Sequence, residues 1–191
     1  FRLHPLAILL TRVLELHDQS KFNIYAYSLN KDTDSYTERI KNAVFCFRDI
    51  ADLSDIEIVN VAREDKIDIA IDLNGATHLN RTSIFDYRVA PIQINYLGYP
   101  GTMGTKSFDY IIADKMLIPE ENKKFFTEKV LYLPNSCVPI DDTLKIQSNK
   151  FSREKLGLPS NGFIFTCFNN IRKIGRKEFH IWMNLLQKID N

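Results

Sequence analysis

Residues 88–114 read RVAPIQINYLGYPGTMGTKSFDYIIAD, two apolar segments on either side of a glycine-punctuated stretch. Ile92 to Leu97 has the character of a strand, and Gly98, Gly101 and Gly104, with Pro100 among them, break it. Tyr110 to Ala113 resumes as a second strand. Glycines at a spacing of three let a backbone turn sharply and approach a ligand closely, since none carries a Cβ. Such a loop at the carboxyl end of a strand is where open α/β sheets bind ligands. Structural turns use the same residues, so the spacing alone leaves both readings open.

Upstream, strand and helix patterns alternate. Pro5 to His17 carries leucines at helical spacing, Asn23 to Leu29 alternates as a strand, and Thr33 to Val44 is a polar-faced helix. Phe45 to Leu53 reads as a short strand and turn. Ser54 to Glu64 is a helix with Ser54 as its cap, and Ile67 to Leu73 is a buried strand. Downstream, Pro119 to Glu128 is a helix and Val130 to Leu133 a strand. This rhythm predicts an α/β fold with a parallel sheet and right-handed crossovers. Asn135 to Asn149 has no apolar period and reads as a connection between domains. Beyond it, Ser152 to Leu156 is a short helix, Phe163 to Phe168 a strand, and Gly175 to Ile189 an amphipathic helix with Trp182 facing a core.

Composition narrows the class. The 191 residues are 45% hydrophobic, with 25 basic and 24 acidic side chains and a net charge of +1. That balance carries no nucleic-acid or membrane-surface footprint. No apolar run reaches the ~20 residues that span a bilayer, and no signal peptide is present. Cys46, Cys137 and Cys167 lie far apart, without C-x-x-C spacing or a nearby His pair, which fits a reducing, cytoplasmic setting better than a disulfide framework or a zinc site.

The string APIQINYLGYPGTMG (90–104), preceded by DLNGATHLNRTSIFDYR (72–88) and followed by FDYIIAD (108–114), closely resembles the catalytic region of protein O-GlcNAc transferases and their SPINDLY-like and bacterial relatives. The similarity continues through Glu128-Lys129 and Tyr132-Leu133-Pro134 to Cys167–Lys173. It implies a GT-B glycosyltransferase of two Rossmann-like domains. Residues 1–134 would form most of the N-terminal catalytic domain, 135–150 the interdomain connection, and 151–191 the start of the nucleotide-sugar-binding domain. It also implies a chain cut at both ends, lacking the first strand of its sheet and most of the second domain, with helical repeats upstream in the full-length parent. The isolated fragment would then be inactive.

The implied reaction moves GlcNAc from UDP-GlcNAc to Ser or Thr hydroxyls of an acceptor protein, inverting the anomeric carbon with neither a metal nor another cofactor. Two alternatives remain: a related transferase using UDP-glucose or GDP-fucose, and a non-catalytic protein-binding module. His4, an imidazole beside a proline at a helix start, matches the family's cleft histidine and is the first catalytic candidate. Lys173, inside FNNIRKIG, matches the lysine that holds the donor's diphosphate and is the second; taken alone, it reads as a solvated loop residue. Asn170 stands where relatives have glutamine. The same resemblance marks Thr77, His78, Leu97, Gly98, Pro100, Gly101 and Thr102 as donor-binding. Ala76 and His78 depart from the animal pattern and leave the donor preference open.

Overall fold

The computed structural model describes residues 1–145, 148 and 151–189, and the chain divides into two compact units, Phe1–Leu144 and Lys145–Asn191. The first unit is built from α1 (Pro5–Glu15), β1 (Tyr25–Ser28), α2 (Ser35–Ala43), β2 (Cys46–Asp49), α3 (Asp55–Glu64), β3 (Ile69–Asp72), α4 (Ser83–Asp86), β4 (Ile92–Asn95), β5 (Tyr110–Ala113) and β6 (Lys129–Tyr132). All its strand pairs are parallel. They form two sheets, β1-β2 and β3-β4-β5-β6, where sequence periodicity predicts one.

Local chemistry sets the helix starts. His4 caps α1, its Nδ1 accepting from Leu6 N at 3.3 Å, and Pro5 occupies the first turn, where a missing N–H has no consequence. Asp34 and Thr37 form a capping box on α2, and on α3 the expected cap, Ser54, forms one with Glu57. Asp65 ends α3 and accepts from Tyr27 Oη of β1 at 2.6 Å and from Arg48 Nε of β2 at 2.6 Å. One carboxylate thereby ties the helix end to both strands of the first sheet.

The main core gathers Ile58, Val59 and Ala62 of α3 with Ile50, Ile84 and Val89, and both Tyr27 of β1 and Ala70 of β3 pack against it. The two sheets thus share the α3 core without sharing a hydrogen-bond ladder. A second cluster lies beneath α1 and α2 around Ala7, Ala26 and Ile40, and a third beside β5 and β6 around Ile111, Ala113 and Ile118.

Several expectations need correction. The Ile67–Leu73 strand is buried on one face only: Ile69 and Ile71 are 48% and 46% exposed because nothing in the unit covers the other face. Pro119–Glu128 is not an α-helix but a 3-10 turn over Glu120–Phe125. Phe126 turns extended there to pack on the third cluster, which ends the turn early. Phe163–Phe168 forms no strand, and Phe168 is 96% exposed. An isolated extended segment has no ladder partner for its backbone groups, and none is supplied among the described residues of the second unit. Ser152–Leu156 is a turn, in which Ser152 Oγ accepts from Lys155 N at 3.2 Å.

The last helix, α5 (Arg176–Lys188), forms as expected but buries no residue, so Trp182 is only partly covered and is not a core side chain. The expected connection also divides. Cys137 N donates to Asp114 Oδ2 at 2.8 Å and Arg39 Nη1 to Asp141 Oδ2 at 2.8 Å, packing residues up to Leu144 onto the first unit. Residues 146, 147, 149 and 150 lie outside the described residues. Among the described residues, no helix is long and apolar enough to cross a membrane.

Candidate functional site

In the first unit, three strand ends carry the segments picked out by sequence. Phe1 to His4 lie at the carboxyl end of β1, where Phe1 N donates to Ser28 Oγ at 2.7 Å and the Phe1 carbonyl accepts from Thr37 Oγ1 at 2.6 Å. The turn 74–79 follows β3, and the loop 96–104 follows β4. Parallel pairing of β3 with β4 brings the last two together.

The glycines serve packing of loop on loop before any ligand is considered. A Cβ on Gly98 would collide with the Leu73 carbonyl oxygen. Gly75 is left-handed, φ +57°, and a Cβ there would stand 2.5 Å from Tyr99 Cβ. At Gly101 the obstacle is the Tyr99 ring, at 2.8 Å. A Cβ on Gly104, φ +66°, would meet nothing. Between them, Leu97 adopts φ +75° while Gly98 N donates to Tyr96 O at 3.0 Å. A bond from i+2 to i around a positive φ is the rare γ-turn, and a leucine there is strained. The neighbouring contacts hold that strain in place.

Polar side chains buried beneath the loop complete its framework. Glu128 is 4% exposed and accepts from Thr102 Oγ1 at 2.7 Å and from Met103 N at 2.6 Å. Thr102 Oγ1 in turn accepts from Gly104 N and Thr127 N. Gln93, fully buried, accepts from Val89 N at 2.7 Å and donates to the Phe85 carbonyl at 2.9 Å and to the Ser107 carbonyl. Arg88 closes on Asp109 at 2.6 Å. The R-V-A-P-I-Q string therefore fastens β4 to the segments on either side of it. Asp114, one residue past β5, accepts from Cys137 N, Leu117 N and Met116 N, which hold its carboxyl at about 2.

The ten candidates fall into three groups. Thr77 and His78 are exposed on the turn after β3, and Leu97, Gly98, Pro100, Gly101 and Thr102 lie on the loop that interlocks with it. His4 belongs to a different strand end and is exposed; with Nδ1 accepting from Leu6 N, a neutral ring carries its proton on Nε2. Asn170 and Lys173 belong to the second unit. There Asn170 Oδ1 accepts from Arg172 N at 3.0 Å and starts the 3-10 turn Ile171–Lys173, whose last residue is exposed. Arg172, Lys173 and Arg176 gather cations at the amino end of α5, where the macrodipole also favours an anion.

Sequence reading missed Asp72, Gln93, Asn95, Asp114 and Glu128. Gln93 and Asn95 carried a signal: polar side chains at alternate positions of an apolar strand point to one face and must find partners if that face is buried. Arg81, at the end of the turn after β3, closes on Asp55 of α3 and donates to the Leu53 carbonyl at 2.8 Å. Asp32 and Asp34, which have D-x-D spacing, pair with Arg2 and cap α2 respectively.

Comparison with known proteins agrees with this architecture. The model of glycosyl transferase family 41 matches residues 1–150. Over 98% of its length the chain is 33% identical to the probable UDP-N-acetylglucosamine–peptide N-acetylglucosaminyltransferase SEC of Arabidopsis thaliana, covering 20% of that protein. It is 36% identical, over 70% of its length, to the UDP-N-acetylglucosamine–peptide N-acetylglucosaminyltransferase of Caenorhabditis elegans, covering 12% of it. The structure of a Thermobaculum terrenum O-GlcNAc transferase mutant matches 97% of this chain with a TM-score of 0.81 at 30% identity, and the match covers 34% of that protein. The chain thus spans about a fifth of the length of the curated relatives it matches. Its parallel α/β architecture is that of the GT-B catalytic region. With that family matched over residues 1–150 by strands, loops and sequence alike, the chain belongs to glycosyl transferase family 41.

Proposed function

We propose that this chain is part of an enzyme that transfers GlcNAc from UDP-GlcNAc to Ser or Thr hydroxyls of proteins, with inversion and without a metal. The observation that carries the reading is the strained γ-turn at Leu97, held by Gly75, Gly98 and Glu128 at the carboxyl edge of a parallel sheet. Backbone strain of this kind persists where a site needs a fixed geometry. Relatives named as UDP-N-acetylglucosamine–peptide transferases support the donor and acceptor classes.

In this reading Leu97 to Thr102, with Thr77 and His78, form the donor-side wall. Lys173 and Asn170 bind the leaving diphosphate, and His4 lines the cleft beside the sugar donor. Residues 1–134 supply the catalytic domain and 151–191 the start of the nucleotide-sugar-binding domain. Lys173 acts through charge: as the bond to the departing diphosphate breaks, negative charge grows there, and a positioned ammonium stabilises it.

The test is steady-state transfer by the protein that carries this chain. Lys173→Ala is expected to lower kcat by about 10²-fold or more, and His4→Ala to lower it with a pH profile that separates proton transfer from positioning. UDP-GlcNAc, UDP-glucose and GDP-fucose are compared as donors. Folded Lys173→Ala with unchanged kcat and UDP affinity overturns the assignment, and stability unaffected by any of the nucleotides favours a binding module instead.

A further inference from the structure

Parallel register sets Asp72 of β3 directly beside Asn95 of β4. Register partners in a parallel pair project to the same face, and here both are buried, at 7% and 0% exposure. Each presents an oxygen without a partner. Among the described residues, Asp72 Oδ2 and Asn95 Oδ1 are the buried side-chain atoms left unsatisfied. The rest of each group is engaged. Asp72 Oδ1 accepts from Asn74 N at 2.9 Å, and Asn95 Nδ2 donates to the carbonyls of Tyr99 at 3.1 Å and Gly101 at 3.3 Å. Flipping the Asn95 amide does not help, because it would turn an oxygen onto those two carbonyls.

Two buried acceptors on neighbouring side chains need a donor between them. A single proton answers both. We propose that Asp72 is a neutral carboxylic acid in the folded protein and that its Oδ2 proton is donated to Asn95 Oδ1, pinning the turn after β3 to the loop after β4.

The surroundings favour the neutral form. Burial pushes the Asp72 carboxyl up, opposed only by the backbone N–H groups of Asn74 and Gly75. Among the described residues, no cation is paired with it. β4 carries no charged side chain, and the titratable groups on the two loops are His78, Tyr96 and Tyr99, with the Tyr96 hydroxyl donating to the Cys137 carbonyl at 2.8 Å. On α3, Asp55 is engaged by Arg81, Glu57 by Ser54 and Arg63 by the Tyr87 carbonyl, while Glu64 is exposed. The positioning pair would set the geometry of Gly75 and Tyr99 whether or not the protein is a transferase. Its test therefore stands apart from the activity.

The experiment is a pH titration of the full chain carrying 13C-carboxyl aspartate, followed by NMR beside thermal unfolding of wild type and Asp72→Asn. One aspartate signal, absent from Asp72→Asn, is expected to stay protonated after the other aspartates have ionised. In Asp72→Asn the amide donates where the proton did. A folded pKa raised above the unfolded value of ~3.9 gives stability that is complete below the unfolded value and falls as pH rises toward the folded one. Wild type should lose Tm over that interval, and Asp72→Asn should lose less and equal or exceed it at neutral pH. If every aspartate signal ionises at or below ~4, Asp72 is a buried carboxylate and the inference fails. Should Asp72→Asn not fold, the wild-type titration alone decides.

Discussion

Gly98 shows how one missing Cβ decides local structure. Its neighbour across the turn is the Leu73 carbonyl, a backbone atom that cannot swing aside as a side chain would. Gly98→Ala should therefore lower stability by roughly 3 kcal/mol, the upper part of the range for overpacking. Denaturant unfolding measures it, and a loss within experimental error would show that the two turns do not interlock. The cysteines give a second residue-scale test. Cys167 is exposed, whereas Cys137 is buried and burial beside Asp114 pushes its thiol up to about 11. A thiol reagent at neutral pH should label Cys167 in the native chain and reach Cys137 only on unfolding, since thiolate and access are both required. Equal rates at the two would contradict that burial.

At the level of elements, buried carboxylates join strands to loops. Glu128 precedes β6 and receives both a hydroxyl and an N–H from the loop after β4. Removing a buried charged acceptor of this kind costs ~1.5–3 kcal/mol, so Glu128→Ala should destabilise by about that much. Amide exchange at Met103 should accelerate with it, and unchanged protection there would place the loop's support elsewhere. Asp114 joins β5 to the 137 segment. With its folded value lowered to about 2, its contribution is complete above the unfolded carboxylate range and is lost as pH falls toward 2. Asp114→Asn should flatten the acid limb of the stability profile, and an unchanged limb would assign acid unfolding to other carboxylates. Strand and helix order, and the Ser54 cap, were legible from periodicity and capping chemistry. The 3-10 turn at Glu120–Phe125 was not, because the demand that Phe126 reach the core comes from residues around Ile111 and Ile118.

Across the whole molecule, buried side chains are concentrated in the first unit, and α5 in the second has none. Hydrogen exchange of the 191-residue chain should find β4 and β5 protected and α5 exchanging close to its intrinsic rate; α5 protection equal to that of β5 would reveal packing beyond that described. Trp182→Ala should likewise leave stability within about 0.5 kcal/mol, as for a surface position. What the sequence determined by itself was order and kind: alternating strands and helices, the glycine loop after β4, and family membership, all of which follow from local periodicity and from long ordered motifs. Tertiary structure decided what the motif residues do. Gly98 clears a carbonyl, Gln93 fastens three segments, Arg81 pairs with Asp55, and Asp72 meets Asn95, because each depends on a neighbour distant along the chain that only the folded register brings within reach.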